Sequence, residues 1–152
     1  MVDKIIPQSA RFYLCDDVRT EVGGKSTLIG LYPNDEITLS RPAAVEPEPA
    51  TAIFFEGFSI LVAFDRGLGE LELLIDLKAP NGQSLITGQK AKLKAEKIGP
   101  VTFSARFRPF ATPEFGEHTY EVSIDGTKFT YRFQLVHSPQ DIEGQAHKIE
   151  LA

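Results

Sequence analysis

Apolar and polar residues alternate with a period of two through much of the chain, and the three-to-four-residue spacing of an amphipathic helix is not seen. Leu71, Leu73, Ile75 and Leu77 fall on one face of a run whose other face holds Glu72 and Asp76. Val101, Phe103, Ala105 and Phe107 alternate with Thr102, Ser104, Arg106 and Arg108. Tyr120, Val122 and Ile124 alternate with Thr119, Glu121 and Ser123, and Phe129, Tyr131, Phe133 and Leu135 with Lys128, Thr130, Arg132 and Gln134. Between those last runs stands Asp125-Gly126, a pair that takes up the positive backbone angles of a tight hairpin turn at little steric cost. Asn81-Gly82 and Pro33-Asn34 mark further turns.

Two stretches are less regular. Residues 52–64 are apolar on both faces, which predicts a central strand covered on both sides or one that changes sheets near Gly57. Residues 90–97 are rich in Ala, Lys and Glu, which favour helix. The strict alternation of Lys90, Lys92 and Lys94 with Ala91, Leu93 and Ala95 predicts a strand instead. Residues 42–49 (PAAVEPEP) read as an extended connection, and residues 140–152 as a last edge strand or docking tail carrying Ile149 and Leu151.

Short strands with regularly spaced turn signals predict an all-β sandwich of roughly eight antiparallel strands, with a closed barrel as the alternative. Phe115-Gly116-Glu117-His118-Thr119-Tyr120, leading into a strand and a tight hairpin, favours an immunoglobulin-like arrangement. With 152 residues and 42% hydrophobic content, the chain suffices for a single domain over residues 1–152 with its own core. Eleven Phe, four Tyr and no Trp suit pleated, half-buried surfaces.

A formal net charge of −5 disfavours nucleic acid and anionic membranes as partners. Cys15 has no second cysteine to pair with. Asp3 and Lys4 stand in the N-terminal residues with no signal-peptide core behind them, and the apolar run at residues 60–64 is far below the roughly 20 residues of a membrane-spanning helix. The expected location is a bacterial-type cytoplasm.

The distinctive segment is residues 15–32, CDDVRTEVGGKSTLIGLY. It resembles a family of small bacterial β-rich proteins that open with C-D-D-[IV]-R-x-E, then G-K and G-[IVL]-Y. That resemblance implies a β-rich fold and brings no activity with it. Read physically, Phe12, Leu14 and Cys15 end one strand and residues 28–32 form the next. Between them lies a charged loop with Asp16, Asp17, Arg19, Glu21 and Lys25, closing through Gly23-Gly24. Such a loop is either a solvated connection with internal ion pairs or a surface presented to a partner.

Other chemistries are weaker. Gly24-Lys25-Ser26 lacks the phosphate-loop glycine, Arg19 standing in its place, and a strand rather than a helix follows. His118, His137 and His147 are far apart, which predicts no transition-metal site, and nothing asks for a cofactor. A calcium site would require Asp16, Asp17, Asp35 and Glu36 to converge at one end of the sandwich. Cys15 at a strand end reads as a buried structural thiol before a nucleophile, and no Gly-x-Ser-x-Gly elbow occurs. Lys90, Lys92 and Lys94 project to one side, where Arg106 and Arg108 would join them as an anion-binding face if the two strands pair. Lysines on an edge strand also serve merely to block aggregation. The sequence therefore favours a non-catalytic module working through a protein partner or self-assembly, for example a repeated subunit of a phage particle. The alternatives are a domain binding an ion or small ligand through its acidic loops, and thirdly an enzyme.

Overall fold

The computed structural model describes residues 3–40 and 52–138. The expected connection at residues 42–49, the tail at 140–152 and His147 lie outside the described residues. The described chain is all-β: β1 (Ala10–Thr20), β2 (Ser26–Leu31), β3 (Glu36–Ser40), β4 (Ile53–Phe55), β5 (Phe58–Lys78), β6 (Ser84–Phe107), β7 (Phe110–Thr112), β8 (Gly116–Ile124) and β9 (Thr127–Ser138). None of its segments is a helix long and apolar enough to cross a membrane.

The expected sandwich is present, but it is not built from short strands alone. β5 and β6 run for 21 and 24 residues and pair antiparallel along most of their length. Register shifts around Gly67 and Gly69 bend this long hairpin, so that each strand serves both layers. The first layer is β2, β1, the first part of β5 and the last part of β6. The second is the first part of β6, the last part of β5, then β8, β9 and β3. The chain crosses between the layers again at residues 32–35, where Asp35 adopts a φ of 53°. One pairing departs from the antiparallel expectation, since β3 lies parallel to β9.

Apolar faces of the two layers meet in an aromatic core. Phe12 of β1 stacks on Tyr131 of β9 with ring centroids 5.1 Å apart, and Phe58 of β5 meets Phe133 of β9 at 5.2 Å. Phe64 and Phe129 close the far end at 5.5 Å. Leu71, Leu73, Ile75 and Leu77 are buried as the alternation predicts, as are Tyr120, Val122 and Ile124. The Asp125-Gly126 turn has φ values of 46° and 86°, the paired positive angles its sequence predicts.

Gly57 is where the chain leaves the small β4–β7 sheet and enters β5, the change of sheets expected from residues 52–64. Its φ is 121°, and an added Cβ would run into the carbonyl oxygen of Phe107 and Cα of Arg108. No other residue fits both that angle and that approach.

Candidate functional site

The residues that drew interest at the N-terminus form a hairpin ribbon. Residues 10–15 of β1 pair with β5, which ends its ladder at Ser59; residues 15–20 pair with β2. Because β5 departs at Gly57, the outer half of β1 has β2 as its one strand neighbour among the described residues. The charged loop expected over residues 16–21 is therefore a correction: Asp16, Asp17 and Arg19 lie on a strand, and the turn is confined to residues 21–25. There Glu21 N–H donates to the Lys25 carbonyl at 2.6 Å and Gly24 N–H to the Glu21 carbonyl at 3.1 Å. The physical reason is that ladder bonds to β2 sustain a strand without an apolar alternation, once the strand no longer covers a core.

The base of the ribbon is firmly held. The Asp16 carboxylate accepts the Tyr32 hydroxyl at 2.6 Å, and the Asp16 carbonyl accepts the Ser59 hydroxyl at 3.4 Å and the Arg108 guanidinium. Burial, then the Asp16 carboxylate, raises the Tyr32 phenol well above its ordinary range, so this bond has the neutral phenol as its donor. Gly30, with φ 67°, sits against the Asp16 carboxylate so closely that any Cβ would collide with it. Asp17 pairs with Arg106 at 2.9 Å and Glu56 with Arg108 at 3.2 Å. Cys15 is fully buried, its thiol 3.7 Å from the Ser59 carbonyl. Burial first, then Asp16 and Asp17, pushes that thiol up and disfavours the nucleophilic thiolate.

Beyond this base the picture changes. The side chains of Arg19, Glu21 and Lys25 form no hydrogen bond or ion pair among the described residues, and all three are exposed. Val22, at the tip, is 97% exposed. On β2, Ile29 and Leu31 lie level with Asp17 and Cys15 and are 36% and 50% exposed. Beside the ribbon, where β5 has turned away, a groove of about 610 Å³ is lined by Val18, Arg19, Glu21, Ser59, Ser104 and Arg106.

No known protein family's model matches this chain, and neither does any curated protein. The site is therefore read from its own chemistry. Of the five cations expected to share a face, Lys90, Lys92 and Lys94 lie on the same strand as Arg106, with Arg108 just past its end, so the anticipated pairing of two strands does not occur. The bend places the lysines in the part of β6 that belongs to the second layer and Arg106 in the part that belongs to the first. Lys92 stands across from Glu72 and Lys94 from Glu70, opposite-charge neighbours of the kind that stabilise a ladder locally.

The acidic residues expected to converge for calcium are likewise separated in their bonding. Asp16 holds Tyr32, Asp17 holds Arg106, and Asp35 accepts the Tyr131 hydroxyl at 2.5 Å. Among the described residues no group of three or more His, Cys, Asp or Glu side chains is placed to hold a metal. His118 is fully buried in the core, stacked on Phe133. Its Nδ1–H donates to the Gly116 carbonyl at 3.0 Å, which leaves Nε2 to accept the Thr112 hydroxyl at 2.8 Å, and burial lowers its pKa. A neutral, fully bonded imidazole of this kind braces β7 against β8.

Val22, Ile29 and Leu31 were not among the residues the sequence singled out. Their signal was available: Thr27-Leu28-Ile29-Gly30-Leu31 carries no charge and directly follows a charged strand, which is unusual on a sheet edge.

Proposed function

We propose that this protein is a non-catalytic interaction module that engages a protein partner through the outer part of the β1–β2 ribbon. The observation that carries the reading is the contrast along one element. Its base is tied down by Tyr32, Ser59, Arg106 and Arg108, while the side chains of Arg19, Glu21, Val22 and Lys25 are presented to solvent without a partner among the described residues.

Exposing a β-branched apolar side chain at a turn adds nothing to folding. A ribbon fixed at its root has less conformational freedom to lose on binding, which lowers the ordering part of the cost of association. Within the candidate set, Asp16 and Asp17 thus act as the anchorage, and Arg19, Glu21 and Lys25 as the contact residues. A module of this kind suits a subunit of a larger assembly.

The test is affinity capture from the native cells with mass spectrometry, comparing the intact protein with an Arg19→Ala, Val22→Asp, Lys25→Ala variant. Circular dichroism would establish that the variant is folded. A stoichiometric partner lost in the variant is the expected result. A partner retained undiminished by the variant would place the interface elsewhere and refute the proposal.

A further inference from the structure

The edges of the two layers are not alike. β6 carries Lys90, Lys92, Lys94, Lys97 and Arg106, and β3 is a five-residue strand that begins with Glu36. Charges on an edge, and short edges, discourage pairing with another sheet. β2 is the exception: Ser26–Leu31 holds no charge and no proline, and among the described residues its outer edge has no strand beside it. Ile29 and Leu31 stand exposed on the same face of that edge.

We propose that β2 pairs antiparallel with β2 of a second copy of this chain, about a twofold axis passing near Ile29. This rests on the reading of the ribbon as an interaction element and extends it from the tip to the outer edge of β2.

Three observations favour a second copy as the occupant. An isologous contact requires a surface to be complementary to itself, and an uncharged strand opposes no like charges when it meets its own reverse. A register centred on Ile29 sets Ile29 against its counterpart and Thr27 against Leu31, so the faces match, as the two-residue period demands. The same register brings Lys25, whose side chain has no partner among the described residues, level with Pro33 of the second copy, two residues before Asp35, rather than opposite its own counterpart.

Six residues span only about 20 Å of strand, short for an interface of about 1,200 Å² or more, so the dimer is weak and concentration-dependent. Sedimentation equilibrium of the full chain from about 1 μM to about 1 mM is expected to show the mass rising toward twice that of the monomer. Ile29→Lys and Ile29→Glu, each shown to be folded by circular dichroism, are expected to stay monomeric over that range. Mixed in equal amounts they are expected to associate again, because residue 29 faces its own counterpart.

A wild-type chain that stays monomeric throughout overturns the proposal. So does a dimer indifferent to both substitutions, or a mixture that fails to recover. A monomeric chain that still loses a captured partner in the Arg19, Val22, Lys25 variant defeats self-pairing and leaves the wider reading intact. A monomeric chain whose captured partner is retained by that variant defeats both.

Discussion

Removing the hydroxyl of Tyr120 is expected to make the protein more stable. Tyr120 is fully buried on β8, in register with Leu77 on one side and Tyr131 on the other, and its ring packs edge-on against Phe107 at 5.7 Å and Phe12 at 6.1 Å. Its hydroxyl has no hydrogen-bond partner among the described residues. The other two phenols that meet carboxylates behave differently, since Tyr32 donates to Asp16 and Tyr131 to Asp35. A buried polar group without a partner costs about 1–3 kcal/mol, whereas the change to Phe keeps the ring and its contacts and vacates the space of one oxygen. Tyr120→Phe should therefore gain about 1 kcal/mol, and Tyr131→Phe should lose about that much by breaking a bond to a charged acceptor. For a chain of this length the gain corresponds to about 3 °C in Tm. Urea denaturation followed by far-UV circular dichroism suits the comparison, because the chain lacks Trp. The midpoint should rise by about 0.5 M at unchanged slope. A Tyr120→Phe protein less stable than the wild type by about 0.5 kcal/mol or more would mean that the hydroxyl is satisfied, by a buried water for example, and would refute the reasoning.

Three further outcomes are expected. Gly57→Ala should destabilise by about 3 kcal/mol or more, since it combines a φ of 121° with a collision against the Phe107 backbone; thermal melts that match the wild type would contradict this. His118 is held neutral, so the unfolded chain binds a proton that the folded one refuses: stability is complete above the unfolded pKa near 6.5 and falls as pH drops through it. The slope contributed by this residue is at most about 1.4 kcal/mol per pH unit. His118→Gln should flatten that part of the stability–pH curve, and an unchanged curve would remove His118 as its source. Cys15 should react slowly with a disulfide thiol probe in the native state and far faster in denaturant; equal rates would show the thiol to be accessible in the fold.

The parts of the fold legible in the sequence are those whose cause is local. The alternation in β8 and β9, with Asp125-Gly126 between them, defines a hairpin whose pairing needs no information from elsewhere. The alternating run at residues 71–77 likewise declares its buried face. What the pattern does not convey is that this run and residues 58–64 are one strand. Asp65, Arg66, Gly67 and Gly69 interrupt the apolar pattern, and β5 continues through them because β6 accompanies it around the bend, with Gly67 opposite Gly99 and Gly69 opposite Ala95. Continuity there is a property of the pair. The parallel match of β3 with β9 is silent for the same reason, as nothing near Glu36 encodes a partner that begins at Gln134.

For the ribbon, the residue types were legible and their roles were not. A cluster of Asp, Asp, Arg and Glu reads as a loop because charge is the signal most often associated with connections. Period two, applied to the same letters, separates Asp16 and Val18 from Asp17 and Arg19, and the structure uses that division. Asp16 joins Tyr32 on the side of Leu14 and Phe12, while Asp17 reaches Arg106 on the opposite face. These partners stand 16 and 89 residues away, and no spacing rule within the segment points to them. Under the proposed function, the same geometry divides the charges by task. A carboxylate whose hydrogen-bonding capacity is already engaged inside the molecule has less to offer a partner, whereas Arg19, Glu21 and Lys25 keep theirs. Their position past the last residue that β5 can reach is what leaves them free, so the departure of the chain at Gly57 shapes the ribbon as much as the ribbon's own sequence does.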